Sequence, residues 1–248
     1  MSPAAVGSKI NSRWRRMAPG RIVVIVLAVL RRDQRIADMA GGNQVGDTTV
    51  RRWRDELISL LAAHAPRLDR ACKRIAKRGG EAVLIDGTLI PTVRRTGRAN
   101  RPNYSGKHRR HGLHFLALTD EKGRLVWISA ARPGRTHDIT AARRDHILTH
   151  LRTPPGSAPW PTSASLDLDD NPDHPVIVTG YKATRARKLT PGDREVNRVL
   201  AAARAPPVEH GFGHLKTWRI LTKLRTDPTR ATDLLRALLV LTNLEVNR

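Results

Sequence analysis

The sequence predicts an α/β protein in which a mixed β-sheet with flanking helices follows a small all-helical domain. Three observations predict this fold class. Helical patterns fill residues 20–78, short apolar runs with β-branched residues begin only after residue 80, and helical patterns return from Asp193 to the C-terminus. Strands interleaved with helices are typical of a mixed sheet covered by helices. The predicted domains are a basic flexible arm at 1–18, a helical domain at 19–79 and an α/β domain at 80–248.

The composition indicates a polyanionic partner. The 248 residues include 45 Lys and Arg against 22 Asp and Glu, a formal charge of +23. Nucleic acid is the usual partner of so basic a chain, and an anionic membrane surface is the other candidate. The apolar run 22–30 is too short to span a bilayer and predicts a buried helix. The single cysteine, Cys72, excludes a disulfide framework and a Cys-based zinc site and suits a reducing cytoplasm.

The helical region contains a break followed by a basic helix. Gly41-Gly42-Asn43 ends one predicted helix, and Asp47 or Thr48 is placed to cap the next, because its side-chain oxygen accepts from free amides of the first turn. A helix, a glycine-containing turn and a basic helix form the pattern of a helix-turn-helix, and the alternative is a solvated basic helix in a linker bundle. The arginines predicted to reach DNA from the second helix are Arg51, Arg52 and Arg54.

The second half of the chain alternates strand and helix signals. The apolar runs predict strands at 82–85, 113–118, 124–129 and 175–179, with a hairpin turn at 120–123. Residues 138–151 predict a helix, and the C-terminal helical region is broken at Pro206-Pro207 and at Pro228. These elements form the predicted α/β core.

Three carboxylates lie at the ends or starts of these elements. Asp86 ends the first predicted strand, and Gly87 after it leaves the backbone room for a close approach. Asp138 lies at a loop-to-helix junction, where a simple N-cap is the alternative. Glu209 shares a helical face with Lys216, two turns later, and a first-turn acid favoured by the helix dipole is its alternative.

Carboxylates brought together from distant parts of a chain suit magnesium, which is bound by few carboxylates plus water and phosphate. Two such ions, roughly 3.5–4 Å apart, activate a water or a 3′-hydroxyl for in-line displacement at phosphorus. The four histidines near these acids do not form a helical zinc pair, and no metal is assigned to them: His108, His111, His114 and His137.

A dense basic segment lies between the first two predicted strands. Residues 91–110 contain seven Lys or Arg and no acid. Such a single-sign run beside an acidic site favours a track for the DNA backbone over a solvated loop. Its basic residues are Arg94, Arg95, Arg98, Arg101, Lys107, Arg109 and Arg110.

The chain resembles bacterial insertion-sequence transposases of the DDE superfamily endonuclease group, which are related to the eukaryotic Harbinger elements. The matching segments are LIDGT at 84–88, YSGKHRRHG at 104–112, PGRTHD at 133–138 and EHGF leading to LKTWR at 209–219. The N-terminal helix-turn-helix is similar as well. The resemblance implies a ribonuclease H-like catalytic domain at 80–248 with two Mg²⁺ or Mn²⁺ ions. By resemblance, Asp86, Asp138 and Glu209 are its metal-binding catalytic carboxylates.

One part of the family pattern is missing. The family has a further catalytic Asp in a strand reading Ala-Asp-x-Gly-Tyr/Phe, and the distance from 175–178 places that position near Thr162. The Pro- and Ser-rich run 153–165 predicts a loop instead. Asp167 or Asp169 replaces the ligand by a register shift in one interpretation, and Asp167 is therefore included as a catalytic candidate. In the favoured interpretation a frameshifted or decayed stretch removed the ligand, and cleavage is impaired.

The leading functional hypothesis is a transposase that binds terminal inverted repeats and target DNA, both double-stranded, cleaves the element ends and transfers the strands. Its expected setting is the bacterial cytoplasm near the nucleoid, as a homo-oligomer on DNA and without a membrane partner. The first alternative is a cleavage-dead remnant that binds DNA and represses transposition. The second is a basic nucleoid-associated protein in which Asp86, Asp138 and Glu209 are scattered.

Overall fold

The computed structural model of the protein describes residues 17–78, 83–93, 98–120, 123–152, 162–164, 177–178, 190–192, 194–195, 198 and 212–246. Its N-terminal part is helical, as predicted. Four helices follow one another: α1 at Pro19–Arg32, α2 at Ile36–Gly42, α3 at Asp47–Ala63 and α4 at Leu68–Lys77. The predicted basic arm lies outside the described residues, apart from its last two positions.

The predicted break between α2 and α3 is confirmed, but the predicted cap is wrong. Helix α2 ends at Gly42, and Asn43 closes it by donating from its backbone N–H to Ala40. The N-cap of α3 is Gly46, with no side-chain cap, and Asp47 is the first helical residue. An acid in this first turn is still favourable, because the helix dipole places partial positive charge there.

The apolar run at 22–30 forms most of α1, and one side of it is buried as predicted. Ile25, Val26 and Leu30 are buried, whereas Val24 is 66% exposed. A helix turns about 100° per residue, so a continuous apolar run cannot bury every side chain against a single neighbouring layer. No helix among the described residues has the length and apolar character needed to cross a membrane.

The sheet is mixed, as predicted. Its described strands are β1 Val83–Pro91, β2 Tyr104–Ser105, β3 Arg110–Asp120, β4 Leu125–Ile128, β5 Arg132–Pro133, β6 Thr162–Ala164 and β7 Ile177–Val178. Strand β3 is antiparallel to β1 on one edge and to β2, β4 and β5 on the other, and β6 and β7 continue from β1 in parallel. The predicted hairpin turn is confirmed, since Gly123 donates to the Asp120 carbonyl with φ 74°.

Three predicted boundaries are wrong. Strand β1 continues five residues beyond Asp86, because β3 pairs with it as far as Pro91. Residues 162–164 were predicted to be loop but form β6, whose backbone pairs with Val83–Ile85 of β1. The single helix predicted at 138–151 is two helices, α5 at Asp138–Arg144 and α6 at Ile147–Arg152, separated at His146 with φ 50°.

The two faces of the sheet pack against different helices. The first face, marked by Ile90 and Phe115, shares a core with α1, α3, residues 212–224 and the last helix, α7 at Pro228–Val246. The second face, marked by Ile85 and Leu116, packs against α4, α5 and α6. Helices from both ends of the chain therefore cover one face, while the site is built where β1 separates the two layers.

Candidate active site

Asp86 lies inside β1 rather than at its end, opposite Ala117 of β3. The prediction of a strand-end position is therefore wrong, but the parallel edge explains how the position is left open. Strand β6 accompanies β1 only as far as the pair Ile85–Ala164. Beyond that pair, no described strand covers this edge of β1. Asp86 is the first residue past the paired stretch.

Asp138 is the first residue of α5, and the N-cap is His137, which makes no side-chain cap bond. The alternative of a simple N-cap is thus wrong for Asp138. Its carboxylate instead accepts a hydrogen bond from Nε2 of His114 on β3, with Nε2 and Oδ1 2.6 Å apart. An ion pair between Arg132 and Asp145 holds the other end of α5. The helix is therefore anchored to the sheet at both ends.

Gly87 makes the approach of this carboxylate possible, as its position after Asp86 predicted. A Cβ at residue 87 would lie 2.6 Å from Nε2 of His114 and 2.7 Å from Cγ of Asp138. Real Cβ contacts are not this short, so any other residue would collide with the pair. His114 and Asp138 therefore contact each other directly over the main chain of β1 at Gly87, where no side chain intervenes.

Asp86 and Asp138 approach β1 from opposite faces. Side chains alternate along a strand, so Asp86 shares the first face with Ile90, and the Cβ direction of Gly87 is on the second face. Asp138 occupies that second-face space, since α5 packs there through Ala141 and Ala142. Only main chain without a side chain separates the two carboxylates at residue 87.

The two carboxylates respond to each other and to nearby cations. The pKa of Asp86 lies above its usual range, mainly because the carboxyl group is buried. The hydrogen bond from the Gly87 backbone N–H lowers this pKa in part, and the negative charge of Asp138 raises it. Burial also raises the pKa of Asp138, but the hydrogen bond and charge of His114, with Lys107 and His137, outweigh burial and leave the pKa low. Asp138 is therefore the more readily ionised of the pair, and a nearby cation would favour ionised Asp86.

Two lysines from distant segments act on Asp86. Lys107 belongs to the turn between β2 and β3, Lys216 ends the helical stretch 212–216, and both stabilise the ionised carboxylate. The second segment is fixed beside β1, because Leu224 donates to the carbonyl of Pro91 and Trp218 is buried, bonded through Nε1 to Thr242. Tertiary packing thus brings lysines from two distant segments close enough to act on the acidic site.

The other predicted DNA-binding residues are distributed over two regions. Arg51 and Arg52 are exposed on α3, while Arg54 is half-buried and paired with Asp55. Exposed basic residues flank the site on the segment between β1 and β3: Arg101, Lys107, Arg109 and Arg110. Four predicted site residues lie outside the described part of the chain: Asp167, Glu209, Arg94 and Arg95.

The donor chemistry of Asp86 and Asp138 fits a divalent cation, since Mg²⁺ prefers carboxylate oxygens and needs only one or two of them when phosphate and water complete its shell. The described residues contain no group of three or more His, Cys, Asp or Glu arranged to hold a metal ion. A third carboxylate would have to come from the segments beyond the described ranges, such as the one that contains Glu209.

A family model for the DDE superfamily endonucleases matches residues 85–243, which include most of β1, the basic turn, α5 and most of α7. The chain belongs to the DDE superfamily endonuclease family. The match begins one residue before Asp86 and spans both lysines. Members of this superfamily usually use divalent metal ions, in agreement with the carboxylate donors of this DDE endonuclease. No solved structure matches the chain.

His114 is a site residue that sequence reasoning missed. It was considered only as a zinc ligand, whereas it holds Asp138. A signal was present, because His114 interrupts the apolar run 113–118 and is only 5% exposed in β3. A buried polar side chain in such a strand requires a partner, but the sequence does not show which one.

Proposed function

We propose that this DDE endonuclease is a DNA transposase that binds the ends of its element and catalyses metal-dependent strand cleavage and transfer. One observation carries the proposal: two electrostatically coupled carboxylates, Asp86 and Asp138, lie on either side of β1, with Lys107 and Lys216 acting on Asp86. A carboxylate pair within reach of two lysines matches a phosphodiester substrate, because the lysines attract the phosphate that the carboxylates alone would repel.

The chemistry follows from the charges of these side chains. Asp86 and Asp138, on opposite faces of β1, would each offer carboxylate oxygens to a divalent cation, and such a cation supplies Lewis acidity and an activated water when bound. Lys107 and Lys216 would bind non-bridging phosphate oxygens and orient the scissile strand beside Asp86. The two-ion mechanism also requires Glu209, and it remains part of the proposal.

The remaining architecture supports DNA binding by the same chain. The antiparallel strands β1, β3 and β4, followed by the parallel strands β6 and β7, agree with a ribonuclease H-like catalytic domain at 80–248. Helices α2 and α3, joined by residues 43–46, agree with a helix-turn-helix in which Arg51 and Arg52 are exposed. We further propose that terminal inverted repeats bind this helix pair, and that a homo-oligomer near the bacterial nucleoid assembles on the DNA.

Strand cleavage tests the proposal. Purified protein with Mn²⁺ or Mg²⁺ is expected to nick duplexes that carry the element ends, and Asp86→Asn is expected to abolish nicking. Asp227→Asn is the matched control, because Asp227 is an exposed residue that caps α7 and Asn caps equally well. Nicking that survives Asp86→Asn at the wild-type rate would refute the assignment of this site.

A specific observation favours the second candidate, a cleavage-dead protein that retains DNA binding. The described part of β6 reads Thr-Ser-Ala and contains no carboxylate. Thr162 also pairs with Val83, three residues before Asp86, which is about 10 Å along the strand. This candidate predicts tight binding to element ends without metal-dependent cleavage. Efficient nicking that Asp86→Ala abolishes would contradict it.

A further inference from the structure

His114 is a buried polar residue whose side chain has one polar contact among the described residues. Its ring lies in the apolar strand β3, and its Nε2 atom is 2.6 Å from Oδ1 of Asp138. Its Nδ1 atom is buried and has no hydrogen-bond partner among the described residues. For the neutral ring, the tautomer protonated at Nε2 suits this environment, because it donates to the carboxylate and leaves no buried N–H without an acceptor.

The contact leaves Asp138 with one oxygen fixed and the other available. Oδ1 accepts from His114, while Oδ2 has no hydrogen-bond partner in the described part of the chain. The Asp138 side chain is 37% exposed, whereas that of His114 is 7% exposed. The histidine therefore holds a partly exposed carboxylate from the interior.

Gly87 determines where the held carboxylate lies. Because the His114–Asp138 contact occupies the space of a missing Cβ at residue 87, the carboxylate is pressed against the main chain immediately after Asp86. Without the histidine, Asp138 would be free to rotate about its own side-chain bonds away from β1, since Oδ1 makes no other hydrogen bond to a described residue.

We propose that His114 is a positioning residue, which orients Asp138 through the Nε2–Oδ1 hydrogen bond so that its second carboxylate oxygen is available to a divalent cation. The cation in this statement rests on the proposed function, whereas the orientation rests on the contact itself. Partners that orient a ligating carboxylate in this way typically contribute about 10- to 100-fold to metal affinity.

The test compares two substitutions in the full chain without DNA. His114→Leu removes the donor and keeps an apolar side chain in the strand, whereas His114→Gln keeps an amide donor at about the reach of Nε2. Mn²⁺ affinity, measured by titration calorimetry, is expected to fall roughly 10- to 100-fold in the Leu variant and by less than about tenfold in the Gln variant. His111→Leu is the matched control on the same strand and is expected to bind Mn²⁺ as wild type does.

A second measurement does not depend on a variant that folds. Long-range ¹H–¹⁵N correlation of the wild-type histidine rings is expected to show that Nε2 of His114 carries a proton. The opposite tautomer would overturn the proposal, as would wild-type Mn²⁺ affinity in folded His114→Leu or no saturable Mn²⁺ binding by the wild type. Binding that depends on His114 without any DNA cleavage would support this inference and would refute only the proposed function.

Discussion

Replacement of Gly87 by alanine adds one methyl group at the point where the two layers of the site meet. The new Cβ would lie 2.6 Å from Nε2 of His114 and 2.7 Å from Cγ of Asp138. The far ends of long side chains move aside cheaply, but Asp138 is short and begins a helix that is packed through Ala141 and Ala142. The substitution is therefore expected to push the carboxylate off His114.

The size of the effect follows from these distances. Relief of the 2.7 Å contact with Cγ of Asp138 to an ordinary separation of about 3.7 Å requires the carboxylate to retreat by roughly 1 Å. If this retreat is directed away from His114, the distance between Oδ1 and Nε2 grows from 2.6 Å to about 3.6 Å, which is no longer a hydrogen bond. Loss of a bond to a charged group costs about 1.5–3 kcal/mol, and alanine recovers about 0.5–1 kcal/mol over glycine within a strand. The net loss is about 0.5–2.5 kcal/mol.

Urea unfolding followed by tryptophan fluorescence measures this loss, and Mn²⁺ titration measures the displacement of the carboxylate. Gly87→Ala is expected to unfold at a lower urea concentration and to bind Mn²⁺ roughly 10- to 100-fold more weakly. Gly41→Ala is the matched control, because a Cβ there meets nothing within 4 Å on helix α2. The control is expected to gain about 0.4–1 kcal/mol, since alanine restricts the unfolded chain.

The reasoning would be refuted by a Gly87→Ala protein whose midpoint in urea equals or exceeds that of the wild type and whose Mn²⁺ affinity is unchanged. That result would mean that residue 87 has room for a side chain, and that the approach of Asp138 does not depend on glycine. A loss of stability as large as predicted, with unchanged Mn²⁺ affinity, would confirm the collision but would contradict a role for Asp138 in metal binding.

Four further predictions concern charged or titratable groups. Because the pKa of Asp86 is raised, the contribution of its carboxyl group to stability is present below the unfolded pKa and is lost as pH rises through the folded pKa. Asp86→Asn is therefore expected to be more stable than wild type at neutral pH in EDTA. The lowered pKa of Asp138 gives the opposite sign, because its contribution to stability is present above the unfolded pKa and is lost as pH falls through the folded pKa. Urea unfolding measured against pH is expected to show that Asp138→Asn is less stable than wild type only toward neutral pH. Parallel stability profiles for the two variants would contradict both signs. Lys216→Ala is expected to weaken DNA binding and to reduce by about 0.9 the slope of the logarithm of the DNA-binding constant against the logarithm of salt concentration. Lys73→Ala on helix α4 is the control and is expected to leave that slope unchanged. An equal change in both variants would exclude a specific phosphate contact by Lys216. Burial, with the charge of a neighbouring acid, raises the pKa of the Cys72 thiol to about 11. A disulfide reagent at mildly alkaline pH is therefore expected to modify Cys72 only after the protein unfolds. Rapid modification of the folded protein would be inconsistent with the burial of this thiol.

Local patterns were sufficient wherever one stretch of chain decides its own conformation. The glycines before Asn43 end a helix because they leave no side chain to support it, and Gly123 closes the hairpin with a positive φ that glycine adopts at low cost. The apolar runs around Asp86 and His114 form strands because their alternate residues enter the two cores. Room for a close approach at Gly87 was also predictable, since it is a property of the glycine itself.

Local patterns did not predict the boundaries that depend on pairing between strands far apart in the chain. Thr162–Ala164 form a strand in a Pro- and Ser-rich run because the edge of β1 supplies backbone partners, a contribution that no local pattern contains. Strand β1 is likewise longer than its apolar run, because β3 continues to pair with it through Pro91. Backbone hydrogen bonds between strands are insensitive to side-chain identity. The local sequence therefore predicts neither the strand at 162–164 nor the end of β1 at Pro91.

The sequence by itself determined the family, the α/β class and the position of Asp86 in the first strand of the sheet, because each depends on a continuous motif or a local period. Only the tertiary structure decided that His114 meets Asp138 over Gly87, and that Lys107 and Lys216 reach Asp86 from separate segments. The physical reason is that these contacts join groups far apart in the chain, and their geometry is set by how helices at both ends of the chain pack against the sheet.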